Sequence, residues 1–272
     1  ETGFRMIRKV LTMPELIRPN QEVALSDDCY RFENVSFSYE KGIEVLHDIN
    51  FEVKPNSVFA IVGESGSGKS TIAKLMAGFF DVDAGTISFG NYDVKKIPTA
   101  QLMKRVAYVA QDNFLFDTSI RENLKIAKAD ATDEEIMNAL QAANCLELIE
   151  RLPEGLNTNA GDCGKFLSGG ERQRITLARA MLSDAKCIIL DEATAYADVE
   201  NEAKIQEALS RLMKDKTLIV VAHRLNTIVG ADQIMVLDHG TINSIGTHKE
   251  LIQGSSVYQK LWKSYSGKEV VE

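Results

Sequence analysis

Apolar residues recur along this chain with two different periods, and the alternation between those periods predicts an α/β protein. From Tyr30 to Gly63, YRFENVSFSYEKGIEVLHDINFEVKPNSVFAIVG, short alternating runs are broken at Lys41-Gly42 and at Lys54-Pro55-Asn56, the pattern of an antiparallel sheet. The segment ends in SVFAIVG, apolar and rich in β-branched residues, which predicts a buried strand closed by Gly63. STIAKLMAGFF then places Ile72, Leu75, Met76 and Phe79 at helical spacing on one face. GTISFGN and KRVAYVAQ predict two more strands, and from Ser119 to about Arg151 the period turns helical, with Ile136, Leu140, Leu146 and Ile149 apolar.

Beyond the glycine-rich AGDCGKFLSGG, the pattern predicts a helix ERQRITLARAMLSD, a strand CIILDEA, a helix ENEAKIQEALSRLM and a strand KTLIVVAH. ADQIMVLDHGTINSIG follows, and then a C-terminal helix ending near Ser264. Strands alternating with helices imply a mostly parallel sheet, with the helical block as an insertion. At the N-terminus, FRMIRKVLTM puts Phe4, Ile7 and Leu11 on one helical face before Pro14, and a polar connector runs to about Asp28. The expected organisation is a linker over 1–28, a domain over 29–266 with a helical subdomain at about 112–180, and a tail over 267–272.

Candidate chemistry sits where the period changes. Between the SVFAIVG strand and the helix after it lies GESGSGKS, residues 63–70, matching G-x-x-x-x-G-K-[ST]. Glycines let backbone N–H groups curl around an anion, and the helix N-terminus adds about half a positive charge. Lys69 would then reach terminal phosphates and the Ser70 hydroxyl would ligate Mg²⁺. Gly63, Ser65, Gly66, Gly68 and Thr71 complete the expected cradle. A flexible surface loop with an incidental lysine is the competing reading, and the strand and helix flanks weigh against it. Asp191 and Glu192 end the apolar run CIIL, where two acids beside a buried strand point to a nearby cation or else to a helix N-cap. Ser168-Gly169-Gly170 opens the helix ERQRITLARAMLSD and forms a second anion-binding helix end, roughly a hundred residues from the first.

A net charge of -8 disfavours a general nucleic-acid binder, so no nucleic-acid partner is expected. Cys29, Cys145, Cys163 and Cys187 form no C-x-x-C pair, which fits reduced thiols. No apolar run approaches the ~20 residues of a bilayer span, so the chain is expected to be soluble as it stands. Its start at Glu1 fits an excised, processed or tagged protein.

LSGGERQR between GESGSGKS and ILDEAT resembles the signature of ATP-binding cassette (ABC) ATPases. From about Tyr30 to Ser264 the chain resembles the nucleotide-binding domain of an ABC transporter with exporter-type architecture. The resemblance implies a phosphate-loop NTPase core with a mostly parallel sheet, an antiparallel β subdomain and an inserted α-helical subdomain. It implies ATP and Mg²⁺ as cofactors and transport-coupled ATP hydrolysis at the cytoplasmic face of a membrane. The implied partners are a second nucleotide-binding domain, paired head to tail around two ATP, and a transmembrane domain. Residue by residue, Tyr39 matches the aromatic that stacks on adenine, the bland reading being a strand tyrosine. Gln111 matches the glutamine that senses Mg²⁺ and water beside the membrane partner, and Asp191 matches the metal-holding aspartate. Glu192 matches the residue that polarises water, Asp198 an aspartate that crosses to the partner, and His223 a γ-phosphate contact. His47, His239 and His248 are read as structural.

The chain departs from the family pattern at Ala195-Tyr196-Ala197, where Ser-Ala-Leu is usual, and in NAGDCG, where Asp162 stands near a usual glutamate. DEATAYAD, ENE and YQKLW resemble a subset that includes iron-siderophore importers built on the exporter fold. A soluble ABC ATPase of DNA repair or translation is an alternative, although no long coiled coil, zinc module or second cassette is present. A nucleotide-binding interaction module without turnover conflicts with Glu192.

Overall fold

A computed structural model of the chain describes residues 8, 16–191, 207, 216–222 and 228–266. The helices expected at 4–13 and 200–213 lie outside the described residues, apart from the single positions Arg8 and Glu207. Ten strands are present among the described residues. They are β1 (Tyr30–Glu40), β2 (Ile43–Val53), β3 (Val58–Val62), β4 (Ala84–Phe89) and β5 (Tyr92–Asp93), followed by β6 (Val106–Val109), β7 (Cys187–Asp191), β8 (Thr217–Val221), β9 (Gln233–Asp238) and β10 (Thr241–Gly246).

One sheet has the order β2-β1-β4-β5 and is antiparallel, as the broken alternating runs at Tyr30–Val53 require. The other has the order β10-β9-β3-β8-β7-β6 and is parallel except for the β9–β10 hairpin. Each central strand of this sheet is apolar on both faces, because both faces are covered. Ala60, Ile188, Leu190, Leu218 and Val236 point to one side, into a core shared with Ile136, Leu140, Ile175 and Leu177 of the helical block. Phe59, Ile61, Ile189, Ile219 and Met235 point to the other side, into a core closed by the antiparallel sheet and by Ile72 and Met76. The parallel register brings Asp191 opposite Val221, and Ile61 pairs with Val221 in turn, so the carboxyl ends of β7, β8 and β3 form one edge. Open α/β sheets bind ligands at such an edge.

Three local features differ from the pattern expected of the sequence. Phe79 does not continue the buried face of its helix. The helix spans Lys69–Met76, Gly78 turns the chain at φ 72, and the Phe79 side chain is 41% exposed. The Ser119–Arg151 block is three helices, Ile120–Lys125, Asp133–Ala142 and Leu146–Arg151. Its second helix starts at a Thr132–Glu135 capping box, and Asn144, at φ 54, turns the chain into the third. The C-terminal segment is two helices, His248–Gly254 and Ser256–Ser266, because Ser255 is extended and its hydroxyl accepts the Tyr258 N–H. A short helix at Thr99–Arg105, which buries Leu102, went unpredicted between the two middle strand candidates.

Candidate nucleotide-binding site

The loop after β3 turns at Gly63 and delivers the chain to the N-terminus of the Lys69–Met76 helix. A Cβ on Gly63 would lie 2.2 Å from the Leu237 carbonyl oxygen, so the backbone approaches its neighbour more closely than any side chain allows. Gly68 caps the helix at φ 104, and a Cβ there would meet Leu46 Cδ2 at 2.7 Å. Ser65 and Gly66 lie exposed at the tip of the loop, while Ser67 and Thr71 are buried. The Lys69 ammonium folds back over the loop and donates to the carbonyls of Gly63 at 3.0 Å and Glu64 at 2.8 Å. Lys69 is only 4% exposed, so its charge lies inside the cradle. Such a bare-backbone cup, with a helix N-terminus and a cation at its mouth, fits a polyphosphate.

Asp191 ends β7 and is 3% exposed. Each of its oxygens accepts one hydroxyl, Oδ1 from Ser70 at 2.8 Å and Oδ2 from Tyr108 at 2.7 Å. Burial, and the bond to Asp191, push the Tyr108 phenol well above its ordinary pKa of 10, so it acts as a donor. Ser70, Asp191 and Gln111 line one cavity of about 540 Å³, together with Lys74, Phe79, Tyr108, Ala110 and Asp112. A hydroxyl, a carboxylate and an amide around that space form the hard-oxygen set that suits Mg²⁺ alongside substrate phosphates.

Tyr39 is 47% exposed and donates to the Thr71 hydroxyl at 3.2 Å. Its ring is held edge-on by Phe37 and Phe80, at centroid distances of 4.9 and 5.3 Å, so a fixed aromatic stands beside the phosphate loop. Ser168 lies elsewhere. It is exposed and caps the Gly169–Leu182 helix by a capping box, accepting from the Glu171 N–H while Glu171 accepts from the Ser168 N–H. Arg151 holds Glu171 from outside. The helix end, with Gly169 and Gly170, is not part of the cavity that Ser70, Gln111 and Asp191 line. Glu192, Asp198 and His223 lie outside the described residues.

Two groups beside the site were not singled out from the sequence. Tyr108 is one, and its signal was an aromatic with a hydroxyl three residues before Gln111 at the end of a predicted strand. The other is the pair of buried Asn123 and half-buried Arg179. Asn123 accepts from the Phe116 N–H and from the Arg179 guanidinium, while Arg179 also donates to the carbonyls of Asn123 and Phe114. Thr176 donates to Asn113 in the same region. These bonds join the segment after Gln111 to the helix that begins at Ser168. No local pattern announces the Arg179 and Thr176 bonds, because their partners are 56 to 65 residues apart.

The profile of the ABC transporter family matches residues 46–195, more than half of the chain. The mycobactin import ATP-binding/permease protein IrtA of Mycolicibacterium smegmatis is 47% identical over 233 residues, 86% of this chain and 27% of that protein. A putative multidrug export ATP-binding/permease protein, YgaD of Bacillus subtilis, is 48% identical over 232 residues, 85% of this chain and 40% of its own length. Among solved structures, a bacterial Atm1-family ABC exporter with ATP bound superposes with a TM-score of 0.90 at 33% identity, over 98% of this chain and 47% of that one. The chain thus spans from about a quarter to just under half of the length of these relatives, all of which are transporters. The chain belongs to the ABC transporter family, as an ATP-binding, ATP-hydrolysing domain of exporter-type fold, and its phosphate cradle and buried aspartate agree with that assignment.

Proposed function

We propose that this chain is the motor of a membrane transporter, pairing head to tail with a second cassette so that each ATP lies between one domain's phosphate loop and the other's Ser168 helix end. The observation that carries this reading is the separation of the two anion-binding ends within one chain. Lys69, Ser70 and Asp191 share a region from which the exposed Ser168 turn is absent, so each end serves a different nucleotide. Binding energy available only in the paired state then closes the pair by mass action. Loss of the γ-phosphate bridge on hydrolysis reopens it.

Lys69 neutralises the terminal phosphates, and the backbone of Gly63, Ser65, Gly66 and Gly68, with Thr71, wraps the chain of phosphates. Tyr39 stacks on the adenine. Ser70, Asp191 and Gln111 hold Mg²⁺, which supplies positive charge to the phosphate oxygens as the terminal bond lengthens. Glu192 orients the attacking water, His223 contacts the γ-phosphate and Asp198 reaches the partner cassette.

A second cavity of about 440 Å³, lined by Phe79, Met103, Tyr108, Phe114 and Ile126, adjoins the Gln111 side and exposes large apolar side chains. This face meets the transmembrane domain, at the cytoplasmic side of the membrane. Among the described residues no helix is long and apolar enough to cross a bilayer, so in this reading the membrane spans belong to the wider transporter. An iron-siderophore cargo is the finer reading, supported by the segment DEATAYAD and by the similarity to a mycobactin importer.

Substituting Ser168→Arg tests the two-chain geometry. Nucleotide binding by the single chain should be unchanged and turnover abolished, whereas lost binding in the monomer would place both helix ends on one nucleotide. Glu192→Gln should hold ATP and elute as an ATP-dependent dimer in size-exclusion chromatography.

A further inference from the structure

Asp191 owes its orientation to more than the phosphate loop. A carboxylate rotates freely about its last torsion, whose wells are broad, so a single hydrogen bond leaves the second oxygen loose. Here two hydroxyls grip the two oxygens separately, Ser70 on Oδ1 and Tyr108 on Oδ2. Ser70 has an oxygen lone pair to offer a cation while its proton stays on Asp191. Tyr108 has no such second task. Its position is set by the sheet, since β6 pairs with β7 in parallel register with Tyr108 opposite Ile189 and Val109 opposite Leu190. Its ring is set by Phe79, edge-on at 5.1 Å. The phenol therefore approaches Asp191 from strand β6, on the side of β7 away from β8 and β3.

We infer that Tyr108 is a positioning residue for the metal site, holding the Asp191 carboxylate so that Oδ1 stays beside the Ser70 hydroxyl when Mg²⁺-ATP enters. The inference rests on the reading of Ser70 and Asp191 as the Mg²⁺ site. Partners of metal ligands typically alter metal affinity by about 10–100-fold when removed, because they fix the ligand's geometry. Asp191 is buried, so without the phenol its Oδ2 would lack its short donor and the carboxylate would be free to turn away from Ser70.

The test uses Tyr108→Phe, which keeps the ring against Phe79 and removes only the hydroxyl. A fluorescent ATP analogue is titrated without metal and with increasing Mg²⁺, and Mn²⁺ binding in the presence of ATP is followed by electron paramagnetic resonance. Asp191→Asn is the control for the metal reading itself. We expect metal-free nucleotide affinity to match the wild type and the melting temperature to fall by only a few degrees, from the donor that Oδ2 loses, with the metal midpoints of Tyr108→Phe raised by about tenfold or more. Midpoints within twofold of wild type, while Asp191→Asn shifts them strongly, would overturn the role of Tyr108 and leave the metal site standing. If Asp191→Asn also leaves the midpoints unchanged, the metal reading falls and this inference with it. Equal weakening of metal-free ATP by Tyr108→Phe would overturn it too, by placing the hydroxyl on the nucleotide or the fold.

Discussion

Replacing Asn123 with alanine probes the joint between the segment after Gln111 and the helix that begins at Ser168. The Asn123 side chain is fully buried and accepts from the Phe116 N–H at 2.8 Å and from Arg179 Nη2 at 3.0 Å, while donating to the carbonyls of Phe116 and Ser119. Those carbonyls keep other partners, since Phe116 O accepts from Thr118 N at 2.7 Å and Ser119 O from Asn123 N at 3.0 Å. The two donors lose an acceptor they cannot readily replace. At ~1–3 kcal/mol for each unsatisfied donor, with both toward the lower end because Arg179 and Phe116 are partly exposed, the loss is about 3 kcal/mol. For a domain of this size that lowers the melting temperature by roughly 6–12 °C, from about 2–4 °C per kcal/mol. The assay is thermal and urea unfolding of Asn123→Ala beside Asn123→Leu, which removes the same bonds but refills most of the volume. Similar losses in both variants are expected. Recovery of wild-type stability by leucine would assign the cost to a cavity, and a shift below about 1 kcal/mol in both would mean that water satisfies the exposed-side Phe116 N–H.

Lys69→Ala removes the cation of the cradle and should weaken ATP binding about ten- to hundredfold, the equivalent of ~1.5–3 kcal/mol for bonds to a charged group; equilibrium dialysis with an unchanged affinity would refute the loop assignment. Thiol titration of the native protein should show slow cysteines. Cys145 is buried and pushed up to about 12, burial likewise raises the buried Cys187 thiol, and Cys29 is pushed up to about 11 by partial burial and its bond to Glu52. Cys163, exposed, should react first, and rapid labelling of all four would contradict the packing. Glu171 supplies a pH test. Partial burial raises its carboxyl, but the Ser168 N–H, the Arg151 guanidinium and the Ser168 hydroxyl together hold it below the usual 4.5. A carboxylate depressed in the folded state contributes stability above its unfolded pKa and loses that contribution as pH falls through the folded one. Glu171→Gln should therefore flatten the decline of melting temperature between about pH 5 and 3, and an unchanged acid limb would discount the capping box as a source of stability.

The residues themselves determined the α/β class, the phosphate loop and the family, because each of these is written in short-range terms. A strand, a glycine turn and a helix N-terminus are contiguous at 58–76, and the LSGGE segment carries its own cap in Ser168 and Glu171. The continuous apolar runs of β3, β7 and β8 were enough to predict strands, and that of β3 a buried one. Local patterning misjudged Phe79, since helical spacing cannot register that Gly78 turns the chain and hands that ring to Tyr108. It missed the joints inside the 119–151 block and at Ser255 for the same reason, as one side-chain hydroxyl or one left-handed residue ends a helix without disturbing its period. Tertiary structure alone brought Ser70 to Asp191 across 121 residues and Tyr108 to Asp191 across 83. Parallel strand order decides those meetings, and strand order depends on how two cores are covered rather than on any segment read alone.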